Sequence, residues 1–534
     1  MPAYEIKSFK GGLSDYTDKG IEGSFKFAKN LNIRKEADSL TTLQDLEEEG
    51  LLAGSQSPSS SQSPSSSVSS STSPSPSSSP SPTPSPSSSP SPSSSTSLSP
   101  SPTPSSSISS SPSPSAELTS VFRDLVRFFV KATDGYTYGF GSTGYIYRRD
   151  LDAYWQVVYK DPDGAIKGAV EKPSETGNAY LIFATDTTVK RKKIPGQSDW
   201  NDVETIGSSA LDTGAPLNSA LWHTMKQVNG SAMIANGSWL ALVGYDDSYT
   251  NEALNLIPGN LATTLVERNG RVVTGTARLS DPNRSINGAI DSEVPLAQVG
   301  NNGELYFANM ADSVPVKRFP GGGKVNPDGV TNEIEQVNFF EWEDTALSWI
   351  DKQSVGNMAL FAVYDAEAGK GGIYSYGRYN KNKPFVMNLD YQFDADELGA
   401  ITSVDGTILV SYQNGSDFGV KAVDQSTKAT GVYESLELAS KGKKPGNITN
   451  WKYASAFLEP LPDGASLQFK YKVNKTGGWI IATQEDLTES FTASGETEAV
   501  FNIGTEGDIF EFQLTVVPTG NTSPEVHKVN IYFE

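Results

Sequence analysis

The sequence predicts an all-β protein, a propeller of short strands followed by a small β-sandwich, with a Ser/Pro-rich tract set into its N-terminal part. Three observations predict it. Aromatic residues make up 10% of a chain that also carries 48 glycines, a balance that favours many short strands joined by turns. Strand–turn–strand units recur every 40 to 50 residues or so between 118 and 446. After about residue 448 the spacing changes to five or more longer alternating strands. At 534 residues the chain is too long for one ordinary core.

The opening stretch, residues 1–53, alternates apolar and polar residues in short runs around Phe25, Phe27, Leu31 and Ile33. It reads as one or two strands, with a short turn of helix at SLTTLQDLEEE. Such a piece is too short to fold alone, so it should dock on the propeller, where an N-terminal strand completes the last blade. From 54 to 116 the chain is almost wholly Ser and Pro. Between Ser55 and Ser115 it holds fifteen of the 32 prolines and no charge, and its only aliphatic residues, Val68, Leu98 and Ile108, stand alone. Such a composition buries no core and predicts disorder. As coil or polyproline II it spans from about 45 Å to about 190 Å. It reads either as a protruding glycan-acceptor stalk or as an expanded surface loop. The loop is preferred because the text on its two sides looks continuous.

Residues 117–447 hold the blades. RFFVKAT, YTYGFG, YIYRR and WQVVYK form the first, and GAIKGAVE, AYLIFATD and TTVKRKKI with an edge near Trp200 the second. In the third, Asn-Gly turns at Asn229 and Asn236 separate HTMKQV, SAMIAN and WLALV at hairpin spacing. Four less regular units follow: LVERNGRVVTGTA with GAIDSEVPLAQV, NNGELYFANM with VPVKRFPGG, ALFAVYD with GGIYSYGRY, and GAITSVDGTILVSYQ with FGVKAVD. The count is about seven blades, or six, and a large irregular sandwich is the alternative architecture. Residues 448–534 supply the sandwich, with Pro460, Pro462 and Pro518 between strands where a missing N–H is tolerated.

A net charge of −21 argues against nucleic acid as the main partner. Without cysteine there is no disulfide, thiolate nucleophile or Cys-based zinc site, and two histidines, His223 and His527, do not make a His-rich metal centre. No apolar run marks a secretory signal near the N-terminus or a membrane span, so the expectation is cytoplasmic synthesis and no membrane partner.

Each candidate motif has a structural explanation. Gly139, Gly141 and Gly144 have the G-x-G-x-x-G spacing of a dinucleotide loop, but a strand follows them where a helix is needed. GGGKV at Gly321–Val325 lacks the spacing and hydroxyl residue of a phosphate loop. Asp161, Asp163 and Gly164 resemble half a calcium loop, and Asp246, Asp247 and Glu252 cluster acids, yet neither run alternates carboxylates as a calcium loop does. His223 beside Trp222 reads as a packed histidine. Lys190, Arg191, Lys192 and Lys193 read as a charge-guarded edge strand. The Asn-x-Ser/Thr triplets at Asn229, Asn236, Asn414 and Asn474 read as turns. Tyr136, Tyr138, Tyr145, Tyr147 and Tyr159, with Tyr374, Tyr376 and Tyr379, offer either sugar-stacking platforms or ordinary packing. The sialidase repeat S-x-D-x-G-x-T-W is absent from the blades. These readings leave no catalytic, cofactor or metal residue to name, and predict no enzyme.

GGLSDYTDKGIEGSFKFAKNLNIRKEADSLTT, GNNGELYFA, LPDGASLQFKYKV, GGWIIA and SPEVHKVNIYFE resemble stretches of tailed-bacteriophage virion proteins that join a propeller to a C-terminal sandwich. The resemblance implies a structural role in a tail, neck or tail-tip, location in the virion, and partners among other virion proteins and copies of the chain itself. A host surface glycan is the further partner to consider, and a glycan-binding or glycan-degrading propeller is the alternative function.

Overall fold

The computed structural model describes residues 3–9, 24–33, 39–52, 119–195, 200–207, 223–256, 386–439 and 448–534, with Gly12–Leu13, Leu217 and the strands between 260 and 377. The Ser/Pro tract and the GGGKV run lie outside the described residues. Residues 1–51 and 120–534 form one compact unit. Among the described residues there is no helix.

Among the described residues, seven groups of antiparallel strands follow one another along the chain. Blade 1 is Val126–Lys131, Thr137–Gly141, Tyr145–Arg149 and Trp155–Lys160. Blade 2 runs from Gly168–Pro173 to Glu204–Gly207, and blade 3 from Met225–Val228 to Tyr249–Asn255. Blade 4 shows Asn260–Arg268, Arg271–Leu279 and Ile290–Asp291, and blade 5 spans Leu296–Val299 to Glu335–Gln336. Blade 6 runs from Leu347–Val355 to Val386–Asp394. Blade 7 is Glu397–Val404, Thr407–Asn414 and Asp417–Lys428, and its outermost strand is Gln44–Glu49 from the far end of the chain. The innermost strand of each blade neighbours that of the next, and Glu397–Val404 returns to Val126–Lys131, so the ring closes. LAQV, grouped in the sequence with the fourth unit, is the inner strand of blade 5.

Period-2 alternation explains how one strand serves two interfaces. In AYLIFATD, Leu181 and Phe183 pack toward blade 1 against Tyr138, Phe140 and Ile146. Their neighbours Ile182 and Ala184 pack toward blade 3 against Ala232, Ile234 and Val243. The corresponding strand of blade 3, Ser231–Asn236, repeats the device, sending Ile234 to blade 2 and Ala235 to blade 4. Fully buried side chains of this size contribute roughly 1.5–3 kcal/mol each. Turn chemistry sets the register: Val228 pairs with Ser231 across Asn229 and Gly230, both at positive φ, as a two-residue hairpin needs.

SLTTLQDLEEE, expected as a turn of helix, is strand instead, because the open edge of Asp417–Lys428 offers its backbone a ladder that a single turn of helix cannot match.

The sandwich has one sheet ordered Ala3–Ile6, Val526–Phe533, Thr449–Leu458, Glu498–Gly507, and a second ordered Ser24–Lys29, Gly431–Ser435, Ile509–Val517, Ser466–Val473, Thr476–Ile481. Between them Trp451 stacks on Phe510 at 4.8 Å and Phe469 on Phe512 at 5.2 Å. Phe9 and Phe25, both fully buried, close on Tyr433 at 5.4 and 5.6 Å. Gly431–Ser435 pairs with Ile509–Val517, so this strand belongs to the second sheet of the sandwich. The first 50 residues therefore divide, their early strands joining the sandwich and Gln44–Glu49 joining blade 7. Lys29 also pairs with Leu389, and the Asn30 N–H donates to the Asp390 carbonyl at 3.1 Å, so blade 6 and the sandwich share a sheet.

Candidate functional site

Of the three glycines of the G-x-G-x-x-G spacing, Gly139 packs under Val126, Trp155 and Phe129, Gly144 lies against the Gly164 carbonyl, and Gly141 lies against the buried carboxylate of Asp124. A Cβ on Gly141 would lie 2.1 Å from Asp124 Oδ1, so the glycine makes room for this side chain. Asp124 accepts from Thr143 N at 2.6 Å, Thr143 Oγ1 at 2.8 Å and Tyr147 Oη at 2.7 Å. Tyr147 Oη in turn accepts from the Arg123 and Asp124 N–H groups at 2.8 and 3.2 Å. Burial, and then the Asp124 charge, push the Tyr147 phenol upward, which keeps it a donor. The motif ties the entry of blade 1 to its centre.

The basic run is not at an edge. Val189–Ile194 is the third strand of blade 2, and Glu204–Gly207 lies outside it. Lys190 is buried and donates to both oxygens of Asp161, at 2.7 and 2.9 Å, and lies 2.8 Å from Asp163. Burial works against its charge, but the two carboxylates outweigh it and raise its pKa. Its ammonium fills the place a cation would need between Asp161 and Asp163. Arg191 pairs with Glu204 at 2.8 Å, the buried Lys192 pairs with Asp202, and Lys193 is exposed.

Asp247 crosses from blade 3 to blade 2, where it accepts from Lys172 Nζ at 2.6 Å and Ser174 Oγ at 2.7 Å. Against the opposing effect of burial, these bonds hold its carboxyl below the usual range. Asp246 caps its own turn through Ser248, and Glu252 is exposed. His223 is buried with Nδ1 3.0 Å from the Ala235 carbonyl and Nε2 3.3 Å from the Asp186 carbonyl. Burial pushes its pKa below the ordinary value. No hydroxyl or carboxylate stands against the ring in these bonds, which is an arrangement for joining blades 2 and 3. Trp222 lies outside the described residues.

The tyrosines are largely packing groups. Tyr138, Tyr147 and Tyr376 are buried, Tyr159 stacks on Trp200 at 5.6 Å, and Lys160 sits 4.1 Å from the centre of the Tyr145 ring. Arg148 covers Tyr136, Tyr374 is half-buried, and Tyr379 lies outside the described residues. Among the described residues there is no group of three or more metal-ligating side chains and no helix long and apolar enough to cross a membrane.

No protein-family model and no curated protein matches this chain. Among solved structures, the β-propeller domain of Cps50 (Swd1) from Myceliophteria thermophila is similar to it at 13% identity and a TM-score of 0.38, over 57% of this chain and 98% of that one. The WD40 β-propeller domain of Doa1 is similar at 13% identity and a TM-score of 0.35, over 57% and 93%. YCF48, solved with a D1 peptide, is similar at 12% identity and a TM-score of 0.37, over 57% and 94%. The propeller described here rests on its own closed ring of sheets.

Sequence reasoning missed the residues that lock that ring. Glu49 accepts from Arg149 Nε and Nη2, both at 2.7 Å, and from the Trp155 indole at 2.9 Å. This fork joins the N-terminal strand to blade 1 with both charged side chains nearly buried. Its neighbour Glu48 turns the opposite way, to Tyr412 at 2.8 Å and Lys421 within blade 7. Nearer the axis Arg127 pairs with Glu397 at 2.5 Å and Lys131 with Asp405 at 2.5 Å. Period-2 alternation in QDLEEE was the available signal, and the local resemblance to helix obscured it.

Proposed function

We propose that this chain is a structural component of a bacteriophage virion, a tail, neck or tail-tip assembly protein that acts through contacts with other virion proteins and with copies of itself. The observation that carries the reading is how the chain spends its buried charge. Asp124, Asp161, Lys172, Lys190, Asp247 and Glu49 all bind strand to strand or blade to blade, leaving a rigid ring tied to a sandwich. Such a body offers broad faces for assembly. Exposed Leu151 and Tyr154 in the turn leading into the outermost strand of blade 1, and Val157 on that strand, are apolar groups suited to a protein partner. The strong negative charge disfavours nucleic acid in that role.

The glycan reading drew on the tyrosines, and most of these are occupied with neighbouring side chains. Immunoelectron microscopy of parent particles, with an antibody against residues 118–534, tests the proposal. Label at a defined symmetric position supports it. Label absent from particles, with the purified protein retained on a polysaccharide column, would replace it with the glycan reading.

A further inference from the structure

We propose that residues 3–49 form a donor segment that one copy of this chain can pass to another, so that the N-terminus of one subunit closes the ring of the next. The inference goes beyond the virion role and stands independently of it.

The rest of the fold is incomplete without this segment. Ala3–Ile6 adds a strand beside Val526–Phe533, and Ser24–Lys29 sits between Gly431–Ser435 and Val386–Asp394. Gln44–Glu49 gives blade 7 its fourth strand. Phe9, Phe25, Leu31 and Ile33 are fully buried in the sandwich core. Removing the segment would open edges in both domains and uncover that core. This is donor-strand complementation by backbone pairing with side-chain anchors.

The covalent link between donor and acceptor is far longer than its geometry requires. The Gly50 carbonyl accepts from the Val121 N–H at 2.8 Å, yet 70 residues, 51 to 120, connect them. A hairpin would use about 2–5 residues. A Ser/Pro-rich coil of 70 residues, as the composition of this stretch predicts, lowers the effective concentration of the donor at its own acceptor roughly 70-fold relative to a turn of about four residues, from the millimolar range to tens of micromolar. Every pairing the segment makes can form equally well with a neighbouring copy, as in any domain swap. Copies that fold together at high local concentration, as in a particle, therefore compete for one another's donors. The occupant is residues 3–49 of a second copy.

The absence of cysteine makes a direct test available. Glu48 and Lys421 face each other as an ion pair across the ladder between donor and blade 7. Two differently tagged full-length chains, one Glu48→Cys and one Lys421→Cys, are refolded together at about 0.1 mM, above the effective concentration set by the tract. They are then oxidised and run on a denaturing gel without reductant. The expected result is a covalent heterodimer whose yield rises with protein concentration and falls to background when 51–120 is replaced by a short turn. The proposal is overturned if no heterodimer forms while a chain carrying both substitutions cross-links only within itself. A double variant that does not cross-link at all removes the pairing and overturns it too. Because purified protein is used, failure here leaves the virion proposal untouched.

Discussion

Glu49→Ala tests whether the N-terminal strand is locked onto blade 1 by its carboxylate. The substitution removes a bidentate partner from Arg149 and the acceptor of the Trp155 indole at once. With side-chain exposures of 11% for Arg149 and 8% for Glu49, the guanidinium is left largely buried and unpaired. Breaking such a pair from one side costs about 3–5 kcal/mol, most of it the desolvated charge left behind. Urea unfolding followed by tryptophan fluorescence reads the loss, and Trp155 lies within the perturbed site. The double variant Glu49→Ala/Arg149→Met removes both charges and should be more stable than Glu49→Ala alone by about 2 kcal/mol. Lys7→Ala, which breaks the exposed pair with Glu5, should stay close to wild type. The reasoning fails if Glu49→Ala lies within about 0.5 kcal/mol of wild type, or if the double variant is as unstable as the summed single variants.

Three further outcomes are expected. Gly399→Ala places a Cβ 2.0 Å from the Val126 carbonyl at the junction of blades 7 and 1, and should cost about 1–3 kcal/mol or more in the same urea assay. His223 has a folded pKa below its unfolded value of about 6.5, so the unfolded chain binds the extra proton and stability falls as pH drops from 7 toward 5, by up to about 1.4 kcal/mol per pH unit. In His223→Gln that part of the slope should vanish, and an unchanged slope in urea midpoints against pH would refute the assignment. Replacing residues 51–120 with a four-residue turn should leave the circular dichroism spectrum unchanged and raise stability by about 2 kcal/mol, because the ends already meet at the Gly50–Val121 hydrogen bond. A lost fold would show that the tract supports the ring.

The sequence by itself determined the all-β class and the repeated blades, because period-2 alternation and Asn-Gly turns are local properties of short segments. AYLIFATD carried two apolar faces in its own letters, and Asn229–Gly230 carried its hairpin. It also determined which sites were unavailable to cysteine chemistry. Tertiary structure alone decided what the charges do. Lys190, Asp161, Lys172 and Asp247 look solvated in the sequence because their partners lie 29 and 75 residues apart, and only blade packing brings them within 3 Å. QDLEEE has the letters of a helix and became a strand because the open edge of blade 7 offered it a ladder. Gly431–Ser435 joined the sandwich sheet through its partner Ile509–Val517, which begins 78 residues beyond its own start. Local periodicity specifies an element, whereas edge pairing and the burial of charge depend on residues distant in the chain, and these placed the two ends of this protein together.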